Sequence, residues 1–203
     1  MNVLIVYAHP SKRSFTYKVF EEIKKGLQDF GHEIEVSDLY EMDFRPDMSE
    51  EEYNREGFAE FTLSIPEDIK REQEKIEKSS CIIFVYPVWW SDCPAKLKGW
   101  FDRVYTVGYA YGNDEMSQNE RKMKTIEYGL VVCTAGHPND FLVKIGISES
   151  MRNVMMDDRL GKRFNRKEMI ILGGTLNIEE VREQHLKMAY DIGKEIKTRC
   201  LSK

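Results

Sequence analysis

Cys81-Ile82-Ile83-Phe84-Val85-Tyr86 sets six apolar or aromatic side chains in a row without a polar break. The run is too short for a helix and lacks the alternation of a strand with one wet face. It therefore reads as a strand covered on both sides, as parallel sheets require. Asn2 to Ala8 and Thr125 to Thr134 read the same way, Glu168 to Leu172 is a further strand stopped by Gly173-Gly174, and Ile34 to Leu39 is a shorter one. Helical stripes lie between them. Ser14 to Phe30 carries Phe15, Val19, Ile23 and Leu27 and is closed by Gly31. Pro66 to Lys78 and Pro94 to Val107 each begin with proline, which suits a first helical turn, and Ile178 to Lys197 is the last helix. Ser49 to about Glu60 is charged and reads as a loop with helical turns.

Five buried strands alternating with helices predict an α/β fold with helices on both faces of a parallel sheet. The expected arrangement is a doubly wound, flavodoxin-like sheet of order 2-1-3-4-5, filling residues 1–203 as a single domain. Its ligand crevice lies where strands one and three end.

The 203 residues are 41% hydrophobic and 32% charged, with a net charge of -5, which argues against nucleic acid as a partner. No stretch of eighteen apolar residues occurs, so no membrane span is expected. Met1-Asn2 leads directly into Val3-Leu4-Ile5-Val6 without a basic leader, and a cytoplasmic protein is expected. Cys81, Cys93, Cys133 and Cys200 show neither CxxC nor zinc spacing and read as reduced structural thiols; no metal is expected.

Three loops at the crevice carry the unusual residues. The first is His9-Pro10-Ser11-Lys12-Arg13-Ser14-Phe15-Thr16, which opens a helix. Unpaired N–H groups, two hydroxyls and nearby basic side chains suit a phosphate. Ser14 alone also reads as an ordinary helix cap, and Lys12-Arg13 as a solvated turn. The sequence is neither a Walker A loop nor GxGxxG. The second is Pro87-Val88-Trp89-Trp90-Ser91-Asp92-Cys93-Pro94, whose adjacent indoles suit a wall for a planar ligand; core or interface packing is the competing account. The third is Thr134-Ala135-Gly136-His137-Pro138-Asn139, where small residues let a flat ring's polar edge approach the backbone. His137 is a candidate proton handler or a plain surface residue. Tyr105 to Asn113, with Tyr109 and Tyr111, either roofs the pocket or meets a partner subunit.

The segments Tyr7-Ala8-His9-Pro10 with Ser14-Phe15-Thr16, Ser37-Asp38-Leu39-Tyr40, Tyr86-Pro87-Val88-Trp89-Trp90, and Pro94-Ala95-Lys96-Leu97-Lys98-Gly99-Trp100-Phe101-Asp102-Arg103-Val104 resemble the NAD(P)H:quinone oxidoreductase family of flavodoxin-like flavoproteins. The likeness runs in register over roughly the first 136 residues. It implies a homodimer whose active sites are completed by the second subunit. His9, Ser14, Phe15 and Thr16 would hold the flavin phosphate region. Pro87, Val88, Trp89 and Trp90 would carry the isoalloxazine, with Thr134, Ala135 and Gly136 at its pyrimidine side, and Tyr109 and Tyr111 would border the substrate. The implied reaction is ping-pong: NADH or NADPH gives a hydride to flavin N5, and a quinone then takes it. Azo and nitroaromatic compounds are further flat acceptors for such a slot. The HPxxxSF loop points to FAD, with FMN as the other flavin used by relatives of this size. Thr16 stands where the best-known members have Asn. Phe141 and Ile147-Ser148 fall where mammalian members have a Tyr and a His, so the resemblance supplies no proton relay in register. Two other functions fit the same resemblance: a flavin-binding ancillary subunit of a potassium-efflux system, and a flavodoxin-type electron carrier.

Overall fold

A computed structural model describes residues 1–112 and 122–201. The segments β1 (Asn2–Tyr7), β2 (Glu33–Asp38), β3 (Cys81–Pro87), β4 (Ile126–Thr134) and β5 (Phe164–Leu172) form one sheet in the order β2-β1-β3-β4-β5. Every neighbouring pair is parallel, as the buried apolar runs predicted. The strand period of two divides the core between the two faces. Val3, Ile5, Tyr7, Ile83 and Val85 pack under α1 (Phe15–Asp29) and the last helix. Leu4, Val6, Ile82, Phe84 and Tyr86 face the opposite layer.

That opposite layer holds α2 (Glu50–Gly57), α3 (Glu67–Lys78) and α4 (Ala95–Val104). The expected loop at 49–60 is in fact helical at α2. Ser49 accepts the Glu52 N–H while the Glu52 carboxylate takes the Ser49 N–H, a capping box that starts a helix without an apolar stripe. Glu52 also accepts from the buried Arg103 of α4 at 2.7 Å, joining the two helices. Trp100 is wholly buried and its indole N–H donates to Glu72 of α3 at 2.8 Å. Helix α4 ends at Val104 rather than 107, because Val107 and Tyr111 turn back on each other around Gly108.

After β4 come α5 (Asn139–Lys144), α6 (Ile147–Arg152) and a π-helical segment, Asn153–Leu160. Strand β5 begins four residues before the expected Glu168, since Asn165, Arg166 and Lys167 lie on an edge strand and can face water. The final helix, α7 (Ile178–Leu201), crosses α1 backbone to backbone. A Cβ at Gly26 would sit 2.3 Å from the Tyr190 carbonyl oxygen, and one at Gly193 2.3 Å from that of Ile23. Among the described residues no helix is long and apolar enough to cross a membrane.

Candidate active site

The turn of the loop after β1 is shaped by bonds to its own Ser14 and His9 side chains. The Ser14 hydroxyl accepts the Tyr17 N–H at 3.0 Å and caps α1, leaving the Phe15 and Thr16 N–H groups at the open helix end. The Ser11 N–H donates to Nδ1 of His9 at 3.0 Å. That nitrogen is therefore unprotonated, and burial holds the imidazole below its ordinary pKa. His9 is thus neutral with its proton on Nε2, a donor. Lys12 reaches Glu41 at 3.1 Å, and both Lys12 and Arg13 are exposed.

Thr16 is buried, and its hydroxyl lies 2.7 Å from that of Thr134 at the end of β4. This contact, across 118 residues of chain, ties the helix opening to the third loop. The Val88 N–H donates to the Thr134 carbonyl at 2.8 Å, which brings the second loop to the same place. The sheet order therefore gathers all three predicted loops at one edge.

A cleft of about 390 Å³ opens there, lined by Val88, Trp90, Ala135, Gly136, Phe141 and Ile147 among others. Ala135 and Gly136 are stitched to the loop after β5, where Thr175 and Leu176 donate their N–H groups to the Ala135 and Gly136 carbonyls. Pro87 is buried at the end of β3. Neither indole of the second loop is core. Trp89 is 42% exposed with its ring 5.7 Å from that of His9, and Trp90 is 101% exposed.

Trp90 and Ser91 form the tip of a two-residue hairpin. Trp89 and Asp92 exchange both N–H···O bonds, at 2.9 and 3.1 Å, and the central residues have φ of 49° and 64°. A type I′ turn needs positive φ at both positions and usually takes Asn-Gly, so a Trp-Ser tip is strained by on the order of 1 kcal/mol per residue. Behind the tip, the Asp92 carboxylate receives both terminal nitrogens of Arg159, at 2.7 and 2.9 Å, and the Cys93 N–H at 2.7 Å. Burial acts to raise the Asp92 pKa, but these hydrogen bonds outweigh it and hold the carboxyl below its usual range. Burial pushes the Cys93 thiol up to about 12, which removes it as a nucleophile near neutral pH.

The profile of a family described as having a flavodoxin-like fold matches residues 1–162. A ribosyldihydronicotinamide dehydrogenase-like protein of Penicillium crustosum is 35% identical over 184 residues, 81% of this chain and 68% of that protein. A solved NAD(P)H:quinone oxidoreductase from Methanothermobacter marburgensis superposes with a TM-score of 0.89 at 46% identity, covering 97% of this chain and 98% of the other. The chain belongs to the flavodoxin-like NAD(P)H:quinone oxidoreductase family. The guinea-pig NAD(P)H dehydrogenase [quinone] 1 is 42% identical over 121 residues, 53% of this chain, and the match spans only 44% of that enzyme's length.

Within this family setting, His137 stands exposed at the rim of the cleft with its ring 4.7 Å from that of Phe141. Tyr109, expected to border the substrate, lines a cavity with Arg55, Phe61 and Gln73. It is buried, and its hydroxyl donates to Glu77 of α3 at 2.8 Å. Burial and the Glu77 carboxylate both raise its pKa. Tyr111 is 46% exposed and lines a different cavity of about 450 Å³, together with Tyr105, Phe101 and Arg159. Asn113, the last residue of the aromatic segment, lies outside the described residues. Sequence reasoning missed Asp92 and Arg159 as a pair. The stretch Met155-Met156-Asp157-Asp158-Arg159 carries no pattern that would single the arginine out.

Proposed function

We propose that the cleft binds a flavin and that the protein uses NADH or NADPH to reduce quinones and similar flat acceptors. The observation that carries this reading is the Thr16–Thr134 contact. It fixes a phosphate-suited helix opening and a ring-sized, largely apolar cleft side by side at the switch point of the sheet. A bound flavin would supply hydride acceptance from a nicotinamide and hydride delivery, through its N5, to a second planar molecule in ping-pong order.

The chain's own groups have separate tasks. The Phe15 and Thr16 N–H groups, and neutral His9 as a donor, hold the phosphate and its linker. Val88, Trp89 and Trp90 exclude water from the ring, while the Ala135 and Gly136 backbone meets its polar edge. His137 at the rim is the candidate to deliver a proton to the reduced acceptor; an unchanged flavin-reduction rate in His137→Ala by stopped flow removes that role. These groups account for the ring, the linker and one phosphate, the part that FMN and FAD share. FAD is favoured only by the HPxxxSF resemblance.

Trp90, Phe141 and Ile145 line the cleft and are exposed, and Leu176, also exposed, lies beside Gly136. A second copy of the chain covering these side chains, with Tyr111 of one subunit beside the cleft of the other, is the proposed assembly. One domain of 203 residues with reduced thiols suits the cytoplasm.

The deciding experiment is spectroscopic. Purified protein is loaded with FMN or FAD, its visible spectrum is recorded, and the flavin is released and identified by chromatography. Bleaching by NADH or NADPH followed by recovery on adding a quinone supports the reading. A protein that takes up neither flavin overturns it. Bleaching with negligible quinone turnover favours the ancillary-subunit alternative, and a stable one-electron form during titration favours the electron carrier.

A further inference from the structure

We infer that Arg159 is a positioning residue: by gripping Asp92 it holds the strained Trp90–Ser91 tip in place and so sets how the Trp90 indole walls the cleft. The inference rests on the flavin-reductase reading only for its consequence on acceptor binding; the grip itself stands on geometry.

Three observations converge on it. The tip has two non-glycine residues at positive φ and a fully exposed indole, so local preference opposes its shape. What opposes relaxation is the pairing of Trp89 with Asp92, and the Asp92 side chain is clamped in a two-point grip by Arg159 at 2.7 and 2.9 Å. Arg159 in turn cannot swing away. It is 8% exposed, its guanidinium carbon lies 5.5 Å from the centre of the Phe101 ring, and Nη1 lies 3.4 Å from Cys93 Sγ and 3.2 Å from Met155 Sδ.

The element that delivers Arg159 is the π-helical segment Asn153–Leu160. π-helical turns are rare and recur at functional sites. The same guanidinium lines the cavity that Tyr111 borders, so one side chain spans from the back of the cleft wall to that cavity. A planar, two-point carboxylate grip needs arginine; lysine offers one point of charge.

The test has one arm free of flavin and turnover. Hydrogen exchange of the Trp89 and Asp92 amides is followed by NMR in flavin-free wild-type protein, Arg159→Met and Asp92→Asn. Loss of the grip is expected to speed exchange at both amides about tenfold, with the amides of β3 unchanged. Equal rates in wild type and variants overturn the inference. Should Arg159→Met fail to fold, Asp92→Asn, which keeps the shape and removes the charge, carries this arm.

The second arm is a double-mutant cycle on the quinone KM. Asp92→Ala and Trp90→Ala are each expected to raise KM about tenfold with kcat within about twofold, and the double variant to be no worse than Trp90→Ala alone. Arg159→Met is expected to raise KM as Asp92→Ala does, and Arg159→Lys to raise it less. Full additivity in the double variant means that Asp92 acts independently of Trp90 and overturns the positioning role. If wild-type protein takes up no flavin and reduces no quinone, the functional reading falls, while the exchange arm still decides the grip.

Discussion

The loop after β1 and the turn after β3 meet where the His9 ring lies against that of Trp89, and their backbones are shaped differently. In the first, Ser14 caps Tyr17 and Ser11 sets the tautomer of His9, each within three residues, and the backbone from 9 to 16 has no residue at positive φ. In the second, two residues sit at positive φ, and the clamp on their flank comes from Arg159, 67 residues further along the chain. A phosphate-suited loop can be specified by its own short stretch because helix ends already present N–H groups. A projecting aromatic wall has no such local template and has to be braced from the core.

The contrast can be broken at both ends. The largest effect is expected for Asp92→Ala, which leaves the Arg159 guanidinium buried without its carboxylate. Stability is expected to fall by about 3 kcal/mol in urea unfolding, and a loss under about 1 kcal/mol would show that the brace is dispensable. Thr16→Val removes the bond that ties the first loop to the end of β4 and leaves the buried Thr134 hydroxyl unpaired. A loss of about 2 kcal/mol is expected, together with weaker flavin retention in equilibrium dialysis. Ser14→Ala, a purely local change, is expected to lower stability by about 1 kcal/mol and to leave the amides of Trp89 and Asp92 protected.

Smaller still, Ser91→Gly relieves one positive-φ position. A gain of about 0.5 kcal/mol in unfolding free energy is expected, and no gain would mean that the turn carries no strain there. The weakest effect concerns pH. Burial lowers the pKa of His9 in the folded protein, so the unfolded chain binds more protons between the folded value and about 6.5. Stability should therefore decline as pH falls from about 7 through that window. His32 is lowered by the same cause and shares the slope, so His9→Asn should flatten it in part. An unchanged slope between pH 5 and 7 would show that His9 does not titrate differently on folding.

Legibility in the sequence followed the range of the interactions. The apolar runs at 2–8 and 81–86 showed both their strands and their burial, because an unbroken six-residue run is too short for a helix and has no wet face. The α2 helix escaped that reading: its signal is the Ser49–Glu52 capping box, and its buried side chain is a glutamate. Nor does the aromatic segment itself show that the Tyr109 hydroxyl pairs with Glu77 on α3. The pairing of Thr16 with Thr134 is equally invisible along the chain, since two threonines 118 residues apart carry no mutual mark.

What the chain alone determined is the alternation of strands and helices, the parallel sheet that follows from it, and the three loops carrying the polar and aromatic residues. Periodicity and helix-end chemistry are local, so a linear reading captures them. Only the tertiary structure decided that Trp90 projects from a strained tip, that the Tyr109 hydroxyl pairs with Glu77, and that Arg159 reaches Asp92. Those outcomes depend on which elements the folded sheet brings into contact, and burial then forces each polar group to find whatever partner lies within a few ångströms.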